Sequence, residues 1–128
     1  MKKGLSSLIL SFLFIFTLLT PIVSAATTGS VTSTRAQNSA KWIEITGSGK
    51  KMTFTASYSG SGGSYGGDAV LYKKLDSNNV QHIATLYVRP NKRFDSTDVL
   101  LDKNATYILQ ADVDVKAASN ASVTASIR

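Results

Sequence analysis

Beyond residue 28, nearly every stretch of this 128-residue chain alternates apolar and polar side chains with a period of two, and an apolar spacing of three, four and seven never takes over. Side chains that alternate this way lie on opposite faces of an extended strand, so one face can be buried while the other is wetted. The cleanest run is 105–116, where Tyr107, Leu109, Ala111, Val113 and Val115 interleave with Ile108, Gln110, Asp112, Asp114 and Lys116. Residues 41–46 set Ile43 and Ile45 against Trp42 and Glu44, and residues 51–58 set Met52, Phe54, Ala56 and Tyr58 against Lys51, Thr53, Thr55 and Ser57. The run 68–75 follows, and then 80–88, whose phase groups His82 with Val80, Ala84, Leu86 and Val88 and assigns the histidine to the end of a core face. Shorter runs at 94–101 and 121–128, with a first one at 29–35, complete the set.

Between the runs lie turn signals. Gly47-Ser48-Gly49-Lys50 reads as a hairpin connector, Asp76-Ser77-Asn78-Asn79 and Asp102-Lys103-Asn104 as tight turns, and Pro90 within 89–93 ends strand pairing. Strands polar on one face do not suit a doubly covered parallel sheet. The expectation is therefore all-β: an antiparallel two-sheet sandwich, jelly-roll-like or immunoglobulin-like, of seven or eight short strands spanning 26–128 as one domain. Its core must be lean, because Val, Ile, Leu and Phe supply only 21 of those 103 residues. Tyrosines, Trp42 and Met52 have to make up the volume. There is no cysteine, so neither a disulfide nor a thiolate metal site contributes.

Residues 1–25 have a different character. Lys2 and Lys3 precede an apolar run from Leu5 to Leu19, Pro21 interrupts it, and Val23-Ser24-Ala25 ends it in small residues. That order is a secretory signal peptide, a helix removed by cleavage between Ala25 and Ala26, rather than a retained anchor. The expected product is secreted and extracellular, with no membrane span after processing, and its freedom from cysteine suits a bacterial source.

The formal net charge of +6 is unevenly spread, with nine Lys or Arg against three acids in 26–93 and the balance reversed in 94–128. Lys50, Lys51, Lys73, Lys74, Arg89, Lys92 and Arg93 fall at strand ends. Together they predict a basic rim that binds an anionic cell-wall polymer or glycan, with loss of binding as salt rises. Nucleic acid is not an expected partner of an exported chain. Trp42, Tyr72 and Tyr87 fall out of phase with the core positions of their strands, which would leave them on an outer face able to stack on sugar rings. Tyr65 stands in the glycine-rich segment 60–67, an inter-strand loop that lacks the lysine and following helix of a phosphate-binding loop.

No catalytic constellation is legible. His82 is the only imidazole, and no serine stands in a nucleophile elbow. Asp112 with Asp114, and Asp95 with Asp98 and Asp102, are acidic groupings of the kind that hold calcium in extracellular sandwiches, but they lack EF-hand spacing. The reading is a non-catalytic binding protein with no cofactor and no metal. The alternative is a released effector: an antimicrobial or toxin-like protein, or an inhibitor of an extracellular enzyme. The sequence leaves oligomeric state open.

Overall fold

The computed structural model describes residues 26–128; the signal segment and its cleavage point at Ala25 lie outside the described residues or at their boundary. Eight strands follow one another: β1 (Gly29–Thr34), β2 (Lys41–Thr46), β3 (Lys51–Ser59), β4 (Gly67–Lys74), β5 (Val80–Val88), β6 (Phe94–Leu100), β7 (Thr106–Val113) and β8 (Ser122–Ile127). They form two antiparallel four-stranded sheets, in the orders β1-β8-β3-β6 and β2-β7-β4-β5. First half pairs with second half throughout: β1 with β8, β2 with β7, β3 with β6, β4 with β5. This is one long hairpin rolled into two layers, the jelly-roll arrangement, and it decides between the two sandwiches the alternation allowed.

Only β4 and β5 are successive strands within one sheet; every other connection crosses between layers. Residues 47–50 are accordingly an inter-sheet arch and not a hairpin. The arch is held by Gly47 N–H donating to the Ala105 carbonyl at 2.8 Å, and by Gly49 N–H donating to the Leu101 carbonyl at 2.9 Å. A Cβ on Gly47 would lie 1.9 Å from the Asp102 carbonyl oxygen, so the two arches approach closely only with glycine there. Connections 47–50, 75–79 and 101–105 share one end of the sandwich, and 35–40, 60–66, 89–93 and 114–121 share the other.

The inward positions are those the alternation assigns on β2, β3, β7 and β8. Phe54, Ala56, Leu109, Ala111, Val123 and Ala125 are fully buried, with Ile45, Tyr107 and Ile127 nearly so. The tyrosines enlarge the lean core because their hydroxyls find partners at its margin: Tyr58 donates to the Ser61 carbonyl at 3.0 Å, and Tyr107 accepts from the Asp102 N–H at 2.8 Å. Among the described residues, no buried side-chain polar atom is left without a partner.

β5 departs from the expectation. The ladder with β4 pairs Leu71 with Ala84 and then Tyr72 with His82, leaving Ile83 as an extra residue. A bulge shifts the phase of everything beyond it. Leu86 and Val88 stay in the core, whereas His82 and Val80 turn outward to solvent. His82 is therefore not a core-face residue.

The outer face of the first sheet is a field of hydroxyls. Ser30, Thr32 and Thr34 on β1 lie opposite Ser126, Thr124 and Ser122 on β8, which lie opposite Thr55, Ser57 and Ser59 on β3. Thr32 and Thr124 hydrogen-bond at 2.8 Å, and Thr55 bonds to Ser126.

Candidate functional site

The second sheet carries a different outer face. In register across β2, β7, β4 and β5, one row reads Trp42, Gln110, Val70, Thr85, and the next reads Glu44, Ile108, Tyr72, His82. On the far side of the Trp42 row, Asp112, Asp68 and Tyr87 line up on β7, β4 and β5. All three aromatics read as out of phase with the core thus lie on one sheet face. Trp42 is 59% exposed and Tyr87 69%, values far above those of core aromatics.

Two depressions indent this face. The first, of about 320 Å³, is walled by Trp42, Tyr72, Val80 and Ile108, with Gln110 as its polar contact. Tyr72 is held edge-on to the His82 ring, with centroids 6.1 Å apart, and His82 Nε2 shares a 2.6 Å hydrogen bond with Thr85 Oγ1. Lys74 Nζ donates to Glu44 Oε1 at 3.2 Å nearby, so the charges at this end compensate each other.

The second depression, of about 390 Å³, lies where the sheet meets the glycine-rich connection, and Tyr65, Tyr87, Arg89, Asp68, Asp112 and Asp114 line it together with Gly66 and Gly67. Its shape depends on those glycines. A Cβ on Gly66 would sit 1.9 Å from the Val88 carbonyl oxygen, and one on Gly67 would sit 2.1 Å from that of Asp112. Tyr65 is partly exposed, with the Lys116 ammonium 5.3 Å from its ring centroid. Asp68 lies directly opposite Asp112 across the ladder. Burial first, and then the neighbouring carboxylates of Asp112 and Asp114, push the Asp68 carboxyl above the usual carboxylate range. Among the described residues, no group of three or more His, Asp or Glu is arranged to hold a metal ion.

The cations do not share one end. Lys50, Lys51, Lys73 and Lys74 belong to the end formed by 47–50, 75–79 and 101–105, and Arg89, Lys92 and Arg93 to the other, separated by the length of β3, roughly 26 Å. Four of them are ion-paired: Lys51 with Asp98 at 3.3 Å, Lys73 with Asp102 at 2.7 Å, Lys74 with Glu44 at 3.2 Å and Lys92 with Asp95 at 3.2 Å. The Asp102 carboxylate that accepts the Lys73 hydrogen bond holds that ammonium above its ordinary range. Arg93 lies over the Tyr58 ring and donates to the carbonyls of Gly60 and Pro90.

Sequence reasoning did not assemble the second depression, because its residues come from three separate segments. It also left out Ile108 and Gln110. The available signal was Ile108, an apolar residue on the polar side of the 105–116 alternation.

The class these observations define is an eight-stranded jelly-roll sandwich with an aromatic-bearing outer face. Among the described residues no helix is long and apolar enough to cross a membrane. No family model and no curated protein matches the chain. Among solved structures it is similar to the Yersinia pseudotuberculosis-derived mitogen (YPM), with a TM-score of 0.49 and 10% identity over 78% of this chain and 83% of that one. It is also similar to Aeromonas hydrophila PliG, a periplasmic lysozyme inhibitor of g-type lysozyme, with a TM-score of 0.45 and 13% identity over 80% of this chain and 88% of that one. At such values neither protein's activity bears on what this chain binds.

Proposed function

We propose that this protein is a secreted, non-catalytic jelly-roll module that holds an extracellular glycan on the outer face of the β2-β7-β4-β5 sheet. Export rests on the order of charge, apolar run and small-residue exit in residues 1–25. The supporting observation for the ligand is the gathering of Trp42, Tyr72 and Tyr87 on one solvent-facing sheet, beside two concavities with polar groups at their edges. Aromatic faces receive the C–H surface of a sugar ring, while amide, hydroxyl and carboxylate groups such as Gln110, Thr85 and Asp68 bond its hydroxyls. An anionic wall polymer held by one basic rim has less support, since the cations are divided between two ends and four are neutralised locally.

A pull-down on purified cell wall and on insoluble polysaccharides, repeated across a salt series, tests this. Trp42→Ala, Tyr72→Ala and Tyr87→Ala are each expected to weaken retention about tenfold, equivalent to ~1.4 kcal/mol, with little dependence on salt. Retention untouched by all three, or a dimer in sedimentation that shields Trp42 from quencher, would overturn the assignment.

A further inference from the structure

We infer that the two depressions are subsites of one elongated trough that takes a single neutral glycan chain lying along β4 and β7, an inference that rests on the glycan assignment above. Both depressions are built on the same two central strands: Tyr72 and Ile108, paired across the ladder, line the first, and Asp68 and Asp112, also paired, line the second. Asp68 and Tyr72 stand four positions apart on β4, roughly 13 Å, which is longer than one sugar ring. Gln110, in the row between them, already lines the first depression and so extends it toward the second. The two most exposed aromatics of the face stand on the edge strands, Trp42 on β2 and Tyr87 on β5. The two depressions therefore follow one another in the strand direction, each flanked by one of these edge rings.

Charge selects the occupant. The lining of the first depression is uncharged, and the Lys74–Glu44 pair beside it sums to zero. At the other end Asp68, Asp112 and Asp114 face the concavity against Arg89. A chain bearing a carboxylate or phosphate on every unit would set those groups beside three carboxylates, whereas a neutral hexose chain offers hydroxyl donors to the same oxygens.

Bridging two weak subsites by one ligand makes the second contact intramolecular, so affinity depends steeply on ligand length until both are filled. The test is an array of neutral oligosaccharides of several linkages, from one to eight units, read against the same lengths of polygalacturonate, using the chain from Ala26 onward. Affinity is expected to rise on the order of a hundredfold between two and four or five units and then level off, with the polyanion weaker at every length. Tyr87→Ala should remove most of the rise while leaving thermal stability unchanged. Binding that is measurable but equal for short and long chains, or preference for the polyanion, overturns the single trough and leaves the glycan assignment standing. No binding to any sugar of any length overturns both.

Discussion

Asp68 carries an electrostatic cost that the rest of the molecule tolerates. Because its carboxyl is held above the ordinary range by burial and by Asp112 and Asp114, the folded chain keeps this proton to higher pH than the unfolded chain does. Stability from such a group is fully present below the unfolded value and is lost as pH rises through the raised folded one. Asp68→Asn is therefore expected to raise the Tm at pH 7, and the gain should vanish toward about pH 3, where aspartate is protonated in either state. A gain of equal size at both pH values would show that the neighbouring charges are not its source. Glycines in the same region divide just as sharply. Gly66→Ala drives a methyl into the Val88 carbonyl and should cost about 1–3 kcal/mol in a urea melt. A Cβ at Gly62 meets nothing within 4 Å, so Gly62→Ala should be neutral or stabilise by up to about 1 kcal/mol.

β5 shows how one inserted residue redirects a strand. Without the bulge at Ile83, the period-two reading carries His82 into the core; with it, His82 packs edge-on to Tyr72 on the outer face. The two placements predict different energetics. His82→Ala should change stability by less than about 0.5 kcal/mol, as exposed positions do. Leu86→Ala, on the core side of the bulge, should cost about 2–5 kcal/mol. Similar losses at both positions would return the histidine to the interior. The two sheets also differ in what they present. The β1-β8-β3 face is covered in paired hydroxyls that reinforce the ladder by about 0.2–1 kcal/mol per pair, while the β2-β7-β4-β5 face leaves Trp42 and Tyr87 exposed and holds Tyr72 edge-on to His82.

Pairing of the chain's first half with its second reorganises the charge as well as the backbone. The basic half and the acidic half read as separate blocks along the sequence, yet β3 against β6 brings Lys51 to Asp98, and the arch at 101–105 brings Asp102 to Lys73. Exposed pairs of this kind contribute little to stability, about 0–1 kcal/mol each, but they offset locally four of the cations that a basic block would have presented. The folded molecule should therefore show less than about a tenfold loss of polymer retention between 50 and 500 mM salt, whereas a true polyanion site loses far more. The same pairing makes nearly every strand contact distant in sequence. Refolding after denaturant dilution is expected in the millisecond-to-second range of all-β domains, with one cooperative transition. Microsecond refolding would be at odds with this topology.

Alternation and turn residues were enough to give an all-β chain of seven or eight strands in two antiparallel layers and most of the inward side chains, because a side chain's face depends on local backbone geometry. The outward placement of Trp42, Tyr72 and Tyr87 was legible for the same reason. Which strands become neighbours was not, since long-range pairing is set by how the layers close over a shared core and leaves no mark on local pattern. Closure made the 47–50 turn an arch, divided the seven cations between two ends, gathered Asp68, Asp112, Asp114, Tyr65 and Arg89 around one concavity, and turned His82 outward at a bulge. The candidate site belongs to that second category: its residue types were visible one by one, and only the rolled pairing of β2, β7, β4 and β5 made them a surface.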